Sequence, residues 1–279
     1  MTTTRSDRVA EAVPLTLRIA PPIVLGGRRA ARLVERNMLS YRRMWPVLVS
    51  GVFEPIFYLF SLGIGLGALV GRIAGPDGTM LRYAEFVAPG LLAASAMNGA
   101  IIDATFGLFF KLKYAKTYEA ILSTPLGVDD VAFGEVSWSL MRGGLYSGVF
   151  VLVMAIGGYM RSPWGLLAWP ACLLIAAAFA SAGMAATTFM RSWQDFDFVQ
   201  LVLLPLFLFS ATFYPLSTYP GWLQVVVWCT PLFHGVDLVR RLTTGALGWE
   251  MVVHVVYLSV MAGLGVTFVR RRLGFLLLR

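Results

Sequence analysis

Charged residues are scarce in this chain: Asp, Glu, Lys and Arg together make up 14% of 279 residues, and lysine occurs only at 111, 113 and 116. Soluble domains carry roughly 25% charge, so with 58% hydrophobic residues and a mean hydropathy of +0.73 the chain reads as a polytopic membrane protein. Catalytic and nucleotide-binding signatures are missing as well. There is no G-x-x-x-x-G-K-[ST] loop to cradle phosphates, no H-E-x-x-H and no G-x-S-x-G. Histidine occurs twice, at 234 and 254, and cysteine twice, at 172 and 229, without metal-ligand spacing or a disulfide framework. Hydrolysis and group transfer have no visible apparatus, and no cofactor is expected on this chain. The N-terminus lacks a signal-peptide pattern, so the apolar run after Trp45 is expected to direct insertion.

What the chain has is a series of apolar runs long enough to span a bilayer, which takes about 20 residues. Six spans are expected, at 45–70, 85–109, 135–160, 165–189, 196–213 and 250–269, giving an all-α polytopic fold. Between Phe196 and Val239 the apolar stretch is broken by Pro205, Pro215, Pro220 and Pro231. Such irregular backbone is tolerated at membrane depth only where protein or water covers it. It predicts a kinked span followed by a re-entrant segment over 211–232 and a short amphipathic stretch to Gly245.

The basic residues orient the chain and argue against nucleic acid as a partner, because they collect between the spans. Nine arginines before Trp45, with Lys111, Lys113, Lys116, Arg191, Arg270, Arg271, Arg272 and Arg279, fall on one side. Arg72, Arg82, Arg161, Arg240 and Arg241 fall on the other, and Arg142 lies within a span. Seventeen against five is a positive-inside bias that puts both termini in the cytoplasm of a bacterial inner membrane. The expected layout is a cytoplasmic N-terminus over 1–24, one permease domain over 25–272 and a tail over 273–279. Residues 28–44, with Arg32, Arg36 and Arg43 beside Leu33, Val34 and Met38, read as an amphipathic helix in the membrane interface.

Candidate functional residues fall in three groups. On the connection 111–130, a short helix ending before Pro125 is expected to carry Tyr118, Ile121 and Leu122 as an exposed apolar knob beside Glu119. Asp129 and Asp130 could cap the next span. Within the spans, Glu54, Asp103 and Arg142 lie at similar depth, roughly 11–14 Å from their ends at 1.5 Å per residue. Intramembrane charges need partners, and Arg142 is expected to pair with Asp103, Glu54 or both. Asn98 and the group Pro205, Phe207, Phe209, Phe213, Tyr214 and Pro215 are candidate path and gate residues, Pro205 because it kinks its span.

Glu-Ala-Ile-Leu-Ser-Thr-Pro-Leu (119–126), Gly-Glu (134–135), and the blocks at 205–216, 220–223, 231–234 and 237–241 together resemble type-2 ABC exporter permeases over residues 25–272. They are similar in particular to nodulation-factor (lipo-oligosaccharide) and daunorubicin-type drug exporters. The resemblance implies a six-helix subunit that dimerises with itself or a paralogue and binds two separate ATPase subunits, which hold ATP and Mg. It implies that 113–124 is the coupling helix and that 211–232 closes the exit. The cargo it implies is an amphipathic drug, lipid or lipid-linked glycan. Ala211 stands where a central glycine is more usual. Two other readings stay open on the residues: an ion-coupled carrier or channel using Glu54 and Asp103, and an enzyme acting on lipid-linked substrates.

Overall fold

A backbone inside a bilayer must satisfy its own hydrogen bonds, and a helix does this within one segment. The computed structural model describes residues 27–41 and 45–277. Arg43, the expected N-terminal segment 1–24 and the last two residues lie outside them. Helix α1 (Gly27–Tyr41) is followed by α2 (Trp45–Ser61), which continues through a wide turn at Leu62–Leu66 into α3 (Gly67–Val70). A hairpin of β1 (Arg72–Ala74) and β2 (Met80–Arg82) pairs antiparallel, Ile73 opposite Leu81. Then come α4 (Tyr83–Ile102), α5 (Thr117–Leu122), α6 (Val128–Ile156), α7 (Ala168–Thr187), α8 (Phe196–Leu208), α9 (Gly221–Cys229), α10 (Pro231–Thr244) and α11 (Glu250–Leu277).

Among the described residues, five helical stretches are long and apolar enough to cross a membrane: Phe53–Val70, Tyr83–Tyr114, Val128–Ile156, Pro163–Thr187 and Glu250–Leu276. In α4, 78% of the apolar window is buried by protein, against 11% in the α2–α3 stretch and 17% in α11. Helix α4 is therefore the hub, packed on α6, α7 and α10, while α2 and α11 present apolar faces outward. Small residues set the packing distance, as they do in membranes generally: Ala88, Ala93, Ala96 and Ala100 of α4 are buried with Ala176, Ala178 and Ala180 of α7.

The expected fifth span, 196–213, is shorter than the sequence suggests. Helix α8 stops at Leu208, and 13 residues rise about 20 Å, short of the ~30 Å hydrocarbon core. Pro205 has no N–H to donate, and the chain turns at Phe209, whose N–H closes on the Pro205 carbonyl at 2.8 Å. The re-entrant bend also lies later than the middle of 211–232. Helices α9 and α10 meet at 87° across Thr230, and α10 runs on, largely buried, to Thr244. Other boundaries move outward. Helix α6 starts at Val128 because the Asp130 carboxylate accepts the Gly127 N–H at 3.0 Å, and α11 continues past 269 to Leu277.

Candidate functional site

One end of the bundle gathers α1, the helical continuation of α4 beyond Ile102, α5 and the start of α6. Helix α1 lies directly on α6 because position 134 is glycine: a Cβ there would sit 2.8 Å from the Leu33 Cβ and 3.2 Å from the Ala30 carbonyl. The next residue, Glu135, is 4% exposed and gathers three elements. Its Oε2 accepts from Lys111 Nζ at 2.6 Å and from Asn37 Nδ2 at 3.3 Å. Arg36 stands 3.7 Å from Oε1, and both cations also donate to Asn37 Oδ1, at 3.2 Å and 3.0 Å. A buried carboxylate with two cations and an amide is a well-compensated charge, and removing one partner would leave the rest exposed to the full desolvation cost.

Helix α5 is joined to the same place. Lys116 takes a left-handed conformation (φ 45°) and turns the chain from the end of α4 into α5. Tyr118 and Ile121, expected as an exposed knob, are instead buried in a cluster with Leu33, Leu108, Val131 and Val136. The amphipathic pattern of so short a helix is satisfied by the bundle, which leaves Glu119, Ala120, Ser123 and Thr124 outward and Leu122 half-buried. Burial, reinforced by the Glu135 carboxylate, holds the Tyr118 hydroxyl well above its ordinary pKa of 10.0. Asp129 does not cap α6; it makes a bidentate ion pair with Arg270 of α11, at 2.7 and 2.6 Å. Arg32 is exposed and pairs with Glu35 one turn on.

Deeper in the bundle, Arg142 of α6 donates to Asp103 at 2.5 Å and to the Tyr146 hydroxyl at 2.9 Å. Asp103 opens a widened π-turn (Asp103–Gly107) in the continuation of α4. The Tyr146 ring sits against Gly51 of α2 and Gly99 of α4, where a Cβ would clash. The group thus stitches α2, α4 and α6. Glu54 is not part of it: it lies on the exposed face of α2 and makes no ion pair with Arg142 among the described residues. Among the described residues, Glu54 and Asp103 share no hydrogen bond or ion pair of the kind a charge relay between them would use.

At the opposite end, α8 leads into the turn at 209–215. Its base rests on an aromatic cluster in which Phe106 stacks on Phe196 at 3.9 Å, with Phe109 and Trp193 edge-on. At its tip Phe207 meets Phe213 at 5.1 Å and Tyr58 of α2 at 6.3 Å, and Tyr214 neighbours Phe213. Pro205, Phe209 and Tyr214 are exposed, while Asn98, Phe207, Phe213 and Pro215 are half-buried. Ala211 holds φ 55°, a conformation that costs a non-glycine residue roughly 1–2 kcal/mol. Arg240 of α10 compensates. It is 3% exposed, donates to the carbonyls of Ala211 and Thr212 at 2.8 and 3.3 Å and to that of Phe86 at 3.1 Å, and lies 3.8 Å over the Phe86 ring.

Glu135 and Arg240 were visible in the sequence only as members of a motif and of a charge count. The signal was there for Arg240: adjacent arginines 240 and 241 in an amphipathic helix cannot both face the same side, since neighbours are about 100° apart. No pattern in one sequence announces that Asn37 and Lys111 converge on Glu135, because they come from separate elements.

Comparison with known proteins agrees with this architecture. The profile of the ABC-2 type transporter family matches residues 30–243. Nodulation protein J of Rhizobium leguminosarum bv. trifolii is 32% identical over 245 residues, covering 86% of this chain and 92% of that protein. Nodulation protein J of Rhizobium meliloti (strain 1021) shows the same identity and coverage. The putative transport permease ycf38 of Cyanophora paradoxa is 23% identical, over 75% of this chain and 72% of that protein. The chain belongs to the ABC-2 type transporter family and is a multi-pass transmembrane permease subunit.

Proposed function

We propose that this permease is the membrane half of an exporter in which it pairs with a second copy or a paralogue and with two separately encoded ATPase subunits. ATP and Mg belong to those subunits, and this chain binds neither. The arginine bias supports a cytoplasmic placement of α1, α5 and the C-terminal arginines. The observation that carries the coupling role is the Glu135 joint: α1, the end of α4 and α6 share one buried carboxylate, and α5 is packed into the same cluster. In this reading the ATPases press on the outward face of α5, from Glu119 to Thr124. Because Tyr118 and Ile121 are buried, α5 moves only by carrying α6 and α4 with it. Reorientation then opens the turn at 209–215, where Phe207, Phe213, Tyr214 and Pro215 form the gate, with Asn98 facing the path.

The likeness to Nodulation protein J supports a lipid-linked glycan of the lipo-oligosaccharide class as cargo, with amphipathic drugs or lipids as the related classes. Co-expression with its ATPase partner subunit tests the docking. Glu119→Arg, at an exposed position, should abolish co-purification and transport while the permease keeps its melting temperature. Undiminished transport in that variant would count heavily against α5 as the docking element.

A further inference from the structure

At the end of the bundle away from α1 and α5, a cavity of about 330 Å³ opens between the hairpin turn at Gly75 and Pro76, the turn after α8, and the elbow of α9, α10 and α11. Ligand sites run from about 300 to 1,000 Å³, so this one has room for a polar ring and not for an acyl chain. Two features separate it from a packing gap.

The first is an ordered polar wall. Asp237 accepts from Arg241 Nε at 2.7 Å and from His254 Nε2 at 2.9 Å. His254 Nδ1 lies 2.8 Å from His234 Nδ1, and Arg241 reaches Glu250 at 3.5 Å. Side chains tied to one another in this way are fixed before any ligand arrives, which lowers the cost of binding. The second is Arg240. It lines the cavity, its Nε and Nη2 are spent on backbone carbonyls, and its Nη1 has no acceptor among the described residues. A donor left over on a side chain at the cavity wall is available to an acceptor on a ligand. Trp228 and Phe233 complete the lining with aromatic faces.

We propose that this cavity binds the headgroup of an uncharged, hydroxyl-bearing molecule, a sugar ring. Arg240 and Arg241 are matched in number by Asp237 and Glu250, so the lining has no excess of arginines to reward an anion. An ionised phosphate would accept from Arg240 but would also face two carboxylates it cannot donate to. A hydroxyl both donates and accepts, and a ring of them can donate hydrogen bonds to Glu250 and Asp237 while accepting one from Arg240. The aromatic faces suit the C–H face of the ring. The inference rests on the permease reading only for calling the occupant cargo; binding itself needs no ATPase and no transport, so the two can fail separately.

The test uses the full chain in lipid nanodiscs, carrying Cys229→Ser to remove the exposed thiol and Ser217→Cys to place one at the rim. Maltose is the probe, inorganic phosphate the comparison and glycerol the osmotic control. Maltose should slow maleimide labelling saturably, about tenfold at ten times its dissociation constant, with no effect of phosphate or glycerol. Adding Glu250→Gln, or Trp228→Ala at a half-exposed ring, should weaken protection by roughly tenfold. Labelling unaffected by maltose, protection by phosphate in its place, equal protection by glycerol, or protection indifferent to both substitutions would overturn the proposal.

Discussion

Lys111 Nζ lies 2.6 Å from Glu135 Oε2, so the helical continuation of α4 beyond Ile102 is tied by a nearly buried ion pair to the start of α6, at the point where α1 crosses. The contact is short, charge-assisted and shielded from water, conditions under which an ion pair transmits displacement rather than dissolving into solvent.

Glu135→Gln should therefore destabilise the permease by about 3 kcal/mol, because it leaves Lys111 and Arg36 without their carboxylate. Thermal unfolding in a fixed detergent checks this. The paired change Lys111→Met with Glu135→Leu should recover part of the loss, since an apolar pair has no charge to strand.

Asp103 and Arg142 should be energetically coupled. Asp103→Asn and Arg142→Leu should each cost several kcal/mol, and the double variant should cost less than their sum by about 1–3 kcal/mol. Strict additivity in a double-mutant cycle would contradict the pairing.

Ala211→Gly should stabilise the turn after α8 by about 1 kcal/mol, because glycine holds a positive φ without the Cβ penalty. The reverse case lies across the contact. A Cβ at Gly90 would stand 3.0 Å from the Thr212 Cα, so Gly90→Ala should push the turn off α4 and lower the melting temperature.

Tyr118 gives a pH-dependent test. Its folded pKa is raised above 10.0 by burial and by Glu135, so the folded state keeps the proton longer than the unfolded chain does. The stabilisation is complete below pH 10 and is lost as pH rises above that value. Tyr118→Phe should leave stability at pH 7 within about 1 kcal/mol and blunt the decline above pH 10.

Five of the six expected spans were legible from sequence because hydropathy reports local burial. Prolines 205 to 231 marked the broken region correctly, but not its geometry. Where α8 ends depends on the turn that Arg240 holds from another helix, and where the elbow falls depends on how α10 packs on α4. Arg142 found Asp103 because both had to be neutralised at similar depth, whereas Glu54 rotated to the outer face of α2, an outcome that depth alone does not decide. The Tyr118 and Ile121 face was read with the right periodicity and the wrong side, since amphipathicity shows that a face is apolar and not which neighbour covers it.

The central claim is that the Glu135 joint links ATPase docking to helix movement. The most direct measurement is cargo moved per ATP hydrolysed, in proteoliposomes holding the permease with its ATPase, for wild type and Glu135→Gln at a temperature where both are folded. The account predicts that transport falls by at least about tenfold, equivalent to ~1.4 kcal/mol of coupling, while the ATPase subunits stay bound and hydrolysis persists. An unchanged ratio of cargo to ATP would contradict it.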